Sequence, residues 1–398
     1  MKILQLTKKF PYPLKDGESI AVTNQARAFN SLGCDLWLLS MNTIKHHVDI
    51  EHLPDSFNQY SEIYTVFLDN RVNVLGAITN LLSKDSYHVS RFFFKEFETK
   101  LISILKNNTF DIIQLETLYL APYIDIIKSH STAKIVMRSH NVEFEIWQRI
   151  VENTSFLPKK WYLSYLTKKL KKFEIAQLDK YDYLVTVTKR DLEQYQNLGY
   201  VSGGISSPIA LDLNEYIIDS QPAASVSFFF IGSLDWIPNL EGLSWFLEHI
   251  WDKVINKHPN VKIHIAGRNT PESIQRLASD NIIIEGEVDD AIEFISSHTI
   301  MVVPLLSGSG MRVKILEGMA LKRVVISTTI GAEGIGATNK MEILIANTIK
   351  EFLEVIDDVI FNSDETNSIG IAARKYISDN FDRKKNAKDL IAAYKKLV

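Results

Sequence analysis

At 398 residues the chain is too long for one ordinary hydrophobic core, and its length fits two or three domains. Hydrophobic residues make up 46% and charged residues 23%, which excludes a disordered chain, and no run of about 18 apolar residues exists to span a membrane. The net charge of −4 conceals an asymmetry. Residues 1–205 hold 25 Lys and Arg against 22 Asp and Glu, whereas the remainder is acidic by 7, which argues against nucleic acid as the main partner. The single cysteine, Cys34, excludes an internal disulfide and fits a reducing compartment; Met1–Lys9 is too short and too lysine-rich for a secretory signal, so the expectation is a cytoplasmic protein.

Lys2–Thr7 reads as a strand and Phe10–Glu18, with Pro11, Pro13 and Gly17, as a loop. Ser19–Leu32 reads as a helix with Val22, Ala26 and Phe29 on one face and Gly33 as its stop, and Leu36–Met41 as the next strand. This βαβ start places the Gly17 loop at the carboxyl end of a strand, where α/β folds bind ligands. Apolar runs at Ile112–Leu115, Ile135–Met137 and Tyr183–Val187 continue a parallel sheet. Arg138-Ser139-His140-Asn141-Val142-Glu143 closes the second of these. A neutral His140 imidazole there can hydrogen-bond a hydroxyl or stabilise developing charge, or it can cap the structure; Glu143 is either its partner or the third residue of a capping box. Phe156–Phe173 places six lysines among aromatics, with Leu163, Leu166, Leu170 and Phe173 on one helical face. Such a helix either lies on an anionic bilayer or packs as an ordinary domain helix with solvated lysines.

Tyr200–Ser227, with Gly203-Gly204 and Pro208, reads as an interdomain connection. A second α/β series follows at Val226–Ile231, Val261–Ala266, Asn281–Ile284, Ile300–Val303 and Val324–Ser327, and Arg374–Val398 is helical by pattern. After the first of these strands, Gly232-Ser233 offers backbone N–H groups to an anion, or is an ordinary turn; Arg268 is either a second group near that site or a surface arginine. The densest signal lies between Pro304 and Ile335. Ser307-Gly308-Ser309-Gly310 lets a backbone approach a ligand closely. A helix opening with Met311-Arg312-Val313-Lys314 then carries two cations in its first turn, the wrong end of the dipole unless an anion lies there too. Glu317, one turn on, suits the hydroxyls of a ribose, while Met311, Ile315, Leu316 and Met319 are expected to face the core. Together these groups describe a site for a nucleoside diphosphate.

The segment with Gly308, Gly310, Arg312, Lys314, Glu317, Gly318, Ala320, Val324, Val325 and Gly331-Ala332-Glu333-Gly334 resembles the donor site of retaining glycosyltransferases of family 4. Phe230–Trp236 with Pro238-Asn239 resembles the family's first loop in the C-terminal domain, and Arg138–Glu143 a motif of the N-terminal domain in one branch. The resemblance implies the GT-B architecture: two Rossmann-like α/β domains facing a central cleft, 1–205 binding the acceptor and 206–375 the nucleotide sugar, with a C-terminal helix, 376–398, crossing back. It implies transfer of a sugar from a nucleoside-diphosphate sugar to a glycan or lipid-linked acceptor with retention, His140, Arg312 and Lys314 carrying catalysis. Gly232, Ser233, Arg268, Val288, Gly308, Ser309, Gly310 and Glu317 would hold the donor, with Val288 in the loop that holds the base, and Gly17, Asn141 and Glu143 would face the acceptor or sugar. The first of the family's two glutamates falls at Ser309, a departure that bears on the sugar more than on the nucleotide. With two protein cations at the diphosphate and neither an Asp-x-Asp pair at a strand end nor a Cys/His cluster, no metal or other cofactor is expected. A sugar-nucleotide epimerase and a non-catalytic nucleotide-sugar-binding protein are the alternatives, and peripheral contact with the inner membrane surface is an open expectation.

Overall fold

The computed structural model describes residues 1–14, 16–69, 86–217, 226–308 and 310–398, and divides them into two compact units, Met1–Ala210 with Arg383–Val398, and Leu211–Asp382. The first unit is built on a wholly parallel sheet in the order β3-β2-β1-β4-β5-β6-β7. Its strands are β1 (Lys2–Thr7), β2 (Asp35–Thr43), β3 (Glu62–Leu68), β4 (Ile112–Leu115), β5 (Lys134–Ser139), β6 (Tyr183–Thr186) and β7 (Gly203–Ser206). A parallel sheet is covered on both faces, so its central strands are rich in buried apolar residues. Ile3, Leu36, Leu38, Ile112, Val136 and Val185 serve one core, and Leu4, Leu6, Leu39, Ile113, Leu115 and Leu184 the other.

The second unit holds a parallel sheet in the order β10-β9-β8-β11-β12-β13, formed by β8 (Phe228–Ile231), β9 (Ile263–Ala266), β10 (Ile282–Gly286), β11 (Ile300–Val303), β12 (Val324–Ser327) and β13 (Leu344–Ile345). This is the Rossmann strand order. In each sheet the order reverses beside the first strand, between β1 and β4 and between β8 and β11, and the loops leaving those carboxyl ends diverge there.

Two regions read differently from sequence. Gly203–Ser206, expected inside the connection, is an edge strand paired with Tyr183–Thr186; its Gly-Gly start imitates a turn, and only the partner strand makes it β. Arg374–Val398 is not one helical segment. It contains the end of a helix Ser363–Asn380, a break at Phe381–Asp382 where the Phe381 carbonyl accepts from the Leu211 N–H at 2.9 Å, and a helix Arg383–Lys395. The last helix belongs to the first unit: Tyr394 packs edge-on against Phe29 and donates to Gln114 Oε1 at 2.6 Å.

Further elements used below are α1 (Gly17–Ser31), α2 (Glu143–Glu152), α3 (Leu157–Ala176), α4 (Ile237–Phe246) and α5 (Val313–Ala320). Helix α4 approaches the end of β11 so closely that a Cβ at Gly242 would overlap the Pro304 carbonyl oxygen. Both groups are backbone or helix, so neither can swing away. Gly242→Ala should therefore destabilise the second unit by about 1–3 kcal/mol, read as a lower urea midpoint with an unchanged slope.

Candidate functional site

In the second unit the loops after β8 and β11 flank the switch point. Helix α5 begins at Val313, two residues later than its sequence suggests: Arg312 is the N-cap and Lys314 lies in the first turn. Met311 precedes the helix and is half-buried, so Val313 takes the packing place expected of it, beside Ile315, Leu316 and Met319. The two cations are not on a solvated face. Arg312 is only 6% exposed, with its guanidinium over the Trp236 ring at 5.4 Å and Nη1 donating to the Gly310 carbonyl. Lys314 Nζ donates to the Ile231 carbonyl at 3.1 Å and to Asn239 Oδ1 at 3.0 Å, above the Phe230 ring. Asn239 in turn donates to the Ser233 carbonyl at 2.8 Å, so one buried amide ties the β8 loop to α4 and to Lys314.

The glycines are where the cations need room. A Cβ at Gly232 would lie 2.9 Å from Lys314 Nζ, and one at Gly308 would lie 2.9 Å from Arg312 Nη2 and 3.3 Å from Trp236. Gly308 also has φ +110°, a conformation that L side chains rarely adopt. Around this pair, Arg268 Nη2 donates to Ser233 Oγ at 3.4 Å, and the ends of β8, β9 and β10 are laced together by Gly232 N–H to Ala266 O and Gly267 N–H to Gly286 O. Val288 is half-buried in the loop after β10. Ser309 lies outside the described residues. Glu317 is met by Tyr216, which donates to its Oε1 at 3.1 Å. Tyr216 and Asn239 are the groups sequence reasoning missed here; Asn239 stood in the quoted motif, but Tyr216 had no signal, being 101 residues away along the chain.

The charges are unusual for their types. Burial, then the neighbouring Arg312, pulls the Lys314 ammonium down to about 7. Burial pushes the Glu317 carboxyl up to about 7, against the hydrogen bond from Tyr216. A pair of close, desolvated cations with backbone N–H groups beside them is built to receive an anion.

The first unit gathers another group of residues at its own switch point. Glu116, directly after β4, is fully buried; its carboxylate accepts from Arg138 Nη1 at 3.0 Å, from Gln5 and Gln114, and lies 3.2 Å from His140 Nε2. Burial pushes that carboxyl up, but Arg138 and His140 outweigh it and hold it at about 2. Glu116 thereby fixes the His140 ring, and sequence reasoning missed it although it directly follows a predicted strand. Asn141 offers its carbonyl to Ser139 Oγ and to the Tyr195 hydroxyl. Gly17 opens α1 behind Asp16, whose side chain caps Ser19; Glu18 next to it pairs with Lys8 at 3.3 Å and with Lys9, and its carboxyl feels His140 as well.

Glu143 forms no capping box. It is the first residue of α2, and its side chain accepts from Tyr119 Oη at 2.8 Å. The cap comes from another helix: Glu174 of α3 accepts from the N–H groups of Glu143 and Phe144 at 3.1 and 3.0 Å. Burial, reinforced by Glu143, pushes the Glu174 carboxyl up to about 7. The structure thus gathers Gly17, His140, Asn141 and Glu143 around one end of the first sheet, and the predicted donor residues that it describes around one end of the second.

Residues 225–362 match the family described as Glycosyl transferases group 1. That segment is a glycosyl transferases group 1 domain. Across 96% of the chain, and 97% of its relative, the sequence is 25% identical to a 44.6 kDa protein in the cps region of Klebsiella pneumoniae. Among solved structures the fold matches sucrose-phosphate synthase from Thermosynechococcus elongatus with a TM-score of 0.74 at 14% identity, covering 100% of this chain and 99% of that one. It matches HepE of Anabaena in complex with UDP with a TM-score of 0.70 at 11% identity, covering 100% of both chains. The fold is GT-B, with a Rossmann-like sheet in each unit.

Within the group 1 domain, the depressed Lys314 gives a proton signature. A diphosphate beside it restores the charged form, so binding above pH 7 takes up a proton and affinity falls as pH rises from about 7 toward the ordinary lysine value. At pH 8.5, where Glu317 is already ionised, calorimetry with UDP in buffers of different ionisation enthalpy should show uptake of up to about one proton, and Lys314→Met should abolish it. In the first unit, Glu116→Gln leaves Arg138 buried without its carboxylate and should cost about 3–5 kcal/mol. In the parent protein Glu116 has a folded pKa below its unfolded one, so its contribution is complete above about pH 4.5 and is lost as pH falls toward 2. Acid titration followed by circular dichroism should show the variant losing stability less steeply than the parent over that window.

Proposed function

We propose that the protein transfers a sugar from a nucleoside-diphosphate sugar to a glycan or lipid-linked acceptor, with retention and without a metal ion. The observation that carries the reading is the pair Arg312, buried, and Lys314, half-buried, each facing a glycine, at the switch point of the group 1 domain. When the sugar–phosphate bond breaks, negative charge grows on the departing diphosphate. Two cations already desolvated and fixed stabilise that charge without reorganising, the term that dominates many such reactions. They supply what a divalent cation would otherwise supply, which supports metal independence. HepE was solved with UDP, and this supports a uridine donor. The relative in the cps region supports an acceptor in polysaccharide assembly. Gly232, Ser233, Gly308, Ser309 and Gly310 are assigned to the diphosphate, Glu317 to the ribose, Arg268 and the Val288 loop to the nucleoside. In the first unit His140, held by Glu116, together with Gly17, Asn141 and Glu143 is assigned to the sugar or acceptor.

Because both cations are packed against their neighbours, the informative replacements keep volume. Arg312→Gln and Lys314→Met should lower turnover by two to three powers of ten, about 2.7–4 kcal/mol each, with a smaller change in the donor's Michaelis constant. Glu317→Gln should raise that Michaelis constant with turnover nearly kept, since a ribose contact is equal before and during reaction. Steady-state kinetics with UDP-glucose and other nucleotide sugars against cell-derived glycan and lipid acceptors, in excess EDTA, checks all three. Wild-type kinetics in every variant would refute the assignment, and activity that stops on chelation and returns with manganese would refute metal independence.

A further inference from the structure

Helix α3 buries Leu166, Thr167, Leu170 and Glu174, and the face opposite them is not an ordinary solvated one. Leu157, Trp161, Lys168, Lys172 and Ile175 follow one another at steps of three, four or seven residues, so they form a single stripe along that outer face. Leu157 is 76% exposed and Trp161 69%, and Phe156, which precedes the helix, is 66% exposed. Trp161 lies parallel to Tyr165, whose ring also carries the Lys169 ammonium at 4.7 Å. Lys159, Lys168, Lys171 and Lys172 stand exposed around the stripe, and between Asn153 and Phe173 the sequence contains neither Asp nor Glu. A helix solvated for its own sake mixes charges of both signs and keeps large apolar side chains inside. Here three large apolar side chains stand in water at one end of a helix whose exposed charges are all positive.

We propose that this face of α3, led by Phe156, Leu157 and Trp161, is the surface by which the protein docks on an anionic lipid bilayer. The apolar tips enter the boundary between headgroups and acyl chains, where a tryptophan ring is at home, and the lysines reach the lipid phosphates from their aliphatic stems. Nucleic acid fits less well, because it offers phosphates but no apolar layer for Leu157 and Phe156. The contact is independent of the chemistry of the group 1 domain, and it lies in the unit assigned to the acceptor. It stands whether or not sugar transfer is the activity.

The test is sedimentation of the full-length protein with vesicles of phosphatidylcholine containing about one-third phosphatidylglycerol, against phosphatidylcholine alone. Binding is expected on the anionic vesicles and weaker binding in high salt. Lys159→Gln, Lys168→Gln and Lys172→Gln combined should weaken it about a hundredfold, at roughly fivefold per lysine. Leu157→Ser with Trp161→Ser should also weaken it at least tenfold, since each side chain removes a buried apolar contact. These positions are exposed, and unchanged circular dichroism confirms that the variants fold. No binding by the unmodified protein overturns the proposal. So does binding that the serine variant keeps in full, which would make the contact electrostatic alone, or a dimer in solution that the serine variant dissociates, which would make this face an interface between copies.

Discussion

Two neighbouring cations, Arg312 buried and Lys314 half-buried, are the constraint around which this end of the second unit is arranged. Desolvation disfavours the charged form of Lys314, and Arg312 adds repulsion, so this corner of the fold is under electrostatic strain. The strain is tolerated because Asn239, the Ile231 carbonyl and the Phe230 ring accept from the ammonium, and because glycines at 232 and 308 leave space instead of side chains. The same features that make the corner costly in isolation make it receptive to an anion. The Rossmann strand order supplies the location, since only at a switch point do two βα loops part widely enough for a ligand to enter between them.

The first unit shows the opposite solution at its own switch point. Glu116 is as deeply buried as any charge in the protein, yet Arg138 and two amides satisfy it, and its carboxyl stays far below the ordinary range. A compensated ion pair of this kind contributes little net stability but is costly to break, and its value lies in fixing geometry. What it fixes is His140, at the end of β5. Around it, Lys8, Glu18, Glu143, Tyr119 and Glu174 form a second layer in which carboxyl groups crowd together and some are pushed upward. One sheet end is thus preorganised by opposite charges, the other by two like charges packed beside glycines.

The sequence by itself determined the two α/β series, most strand positions and the glycine loop before a basic helix start. Those properties are local: parallel strands buried on both faces are continuous apolar runs, and a glycine loop before a basic helix start is readable in ten residues. Ile112–Leu115, Ile300–Val303 and Val324–Ser327 match the structure end to end for that reason. Only the tertiary structure decided the rest. Gly203–Ser206 is a strand because β6 lies beside it; Tyr216 reaches Glu317 across 101 residues; Glu174, not Glu143, caps α2; Arg312 is buried and Lys314 half-buried, held by Asn239 and the Ile231 carbonyl. Each depends on which groups are brought together from distant parts of the chain, and hydrogen bonding, desolvation and charge coupling depend on distance in space, which composition and spacing along the sequence do not encode.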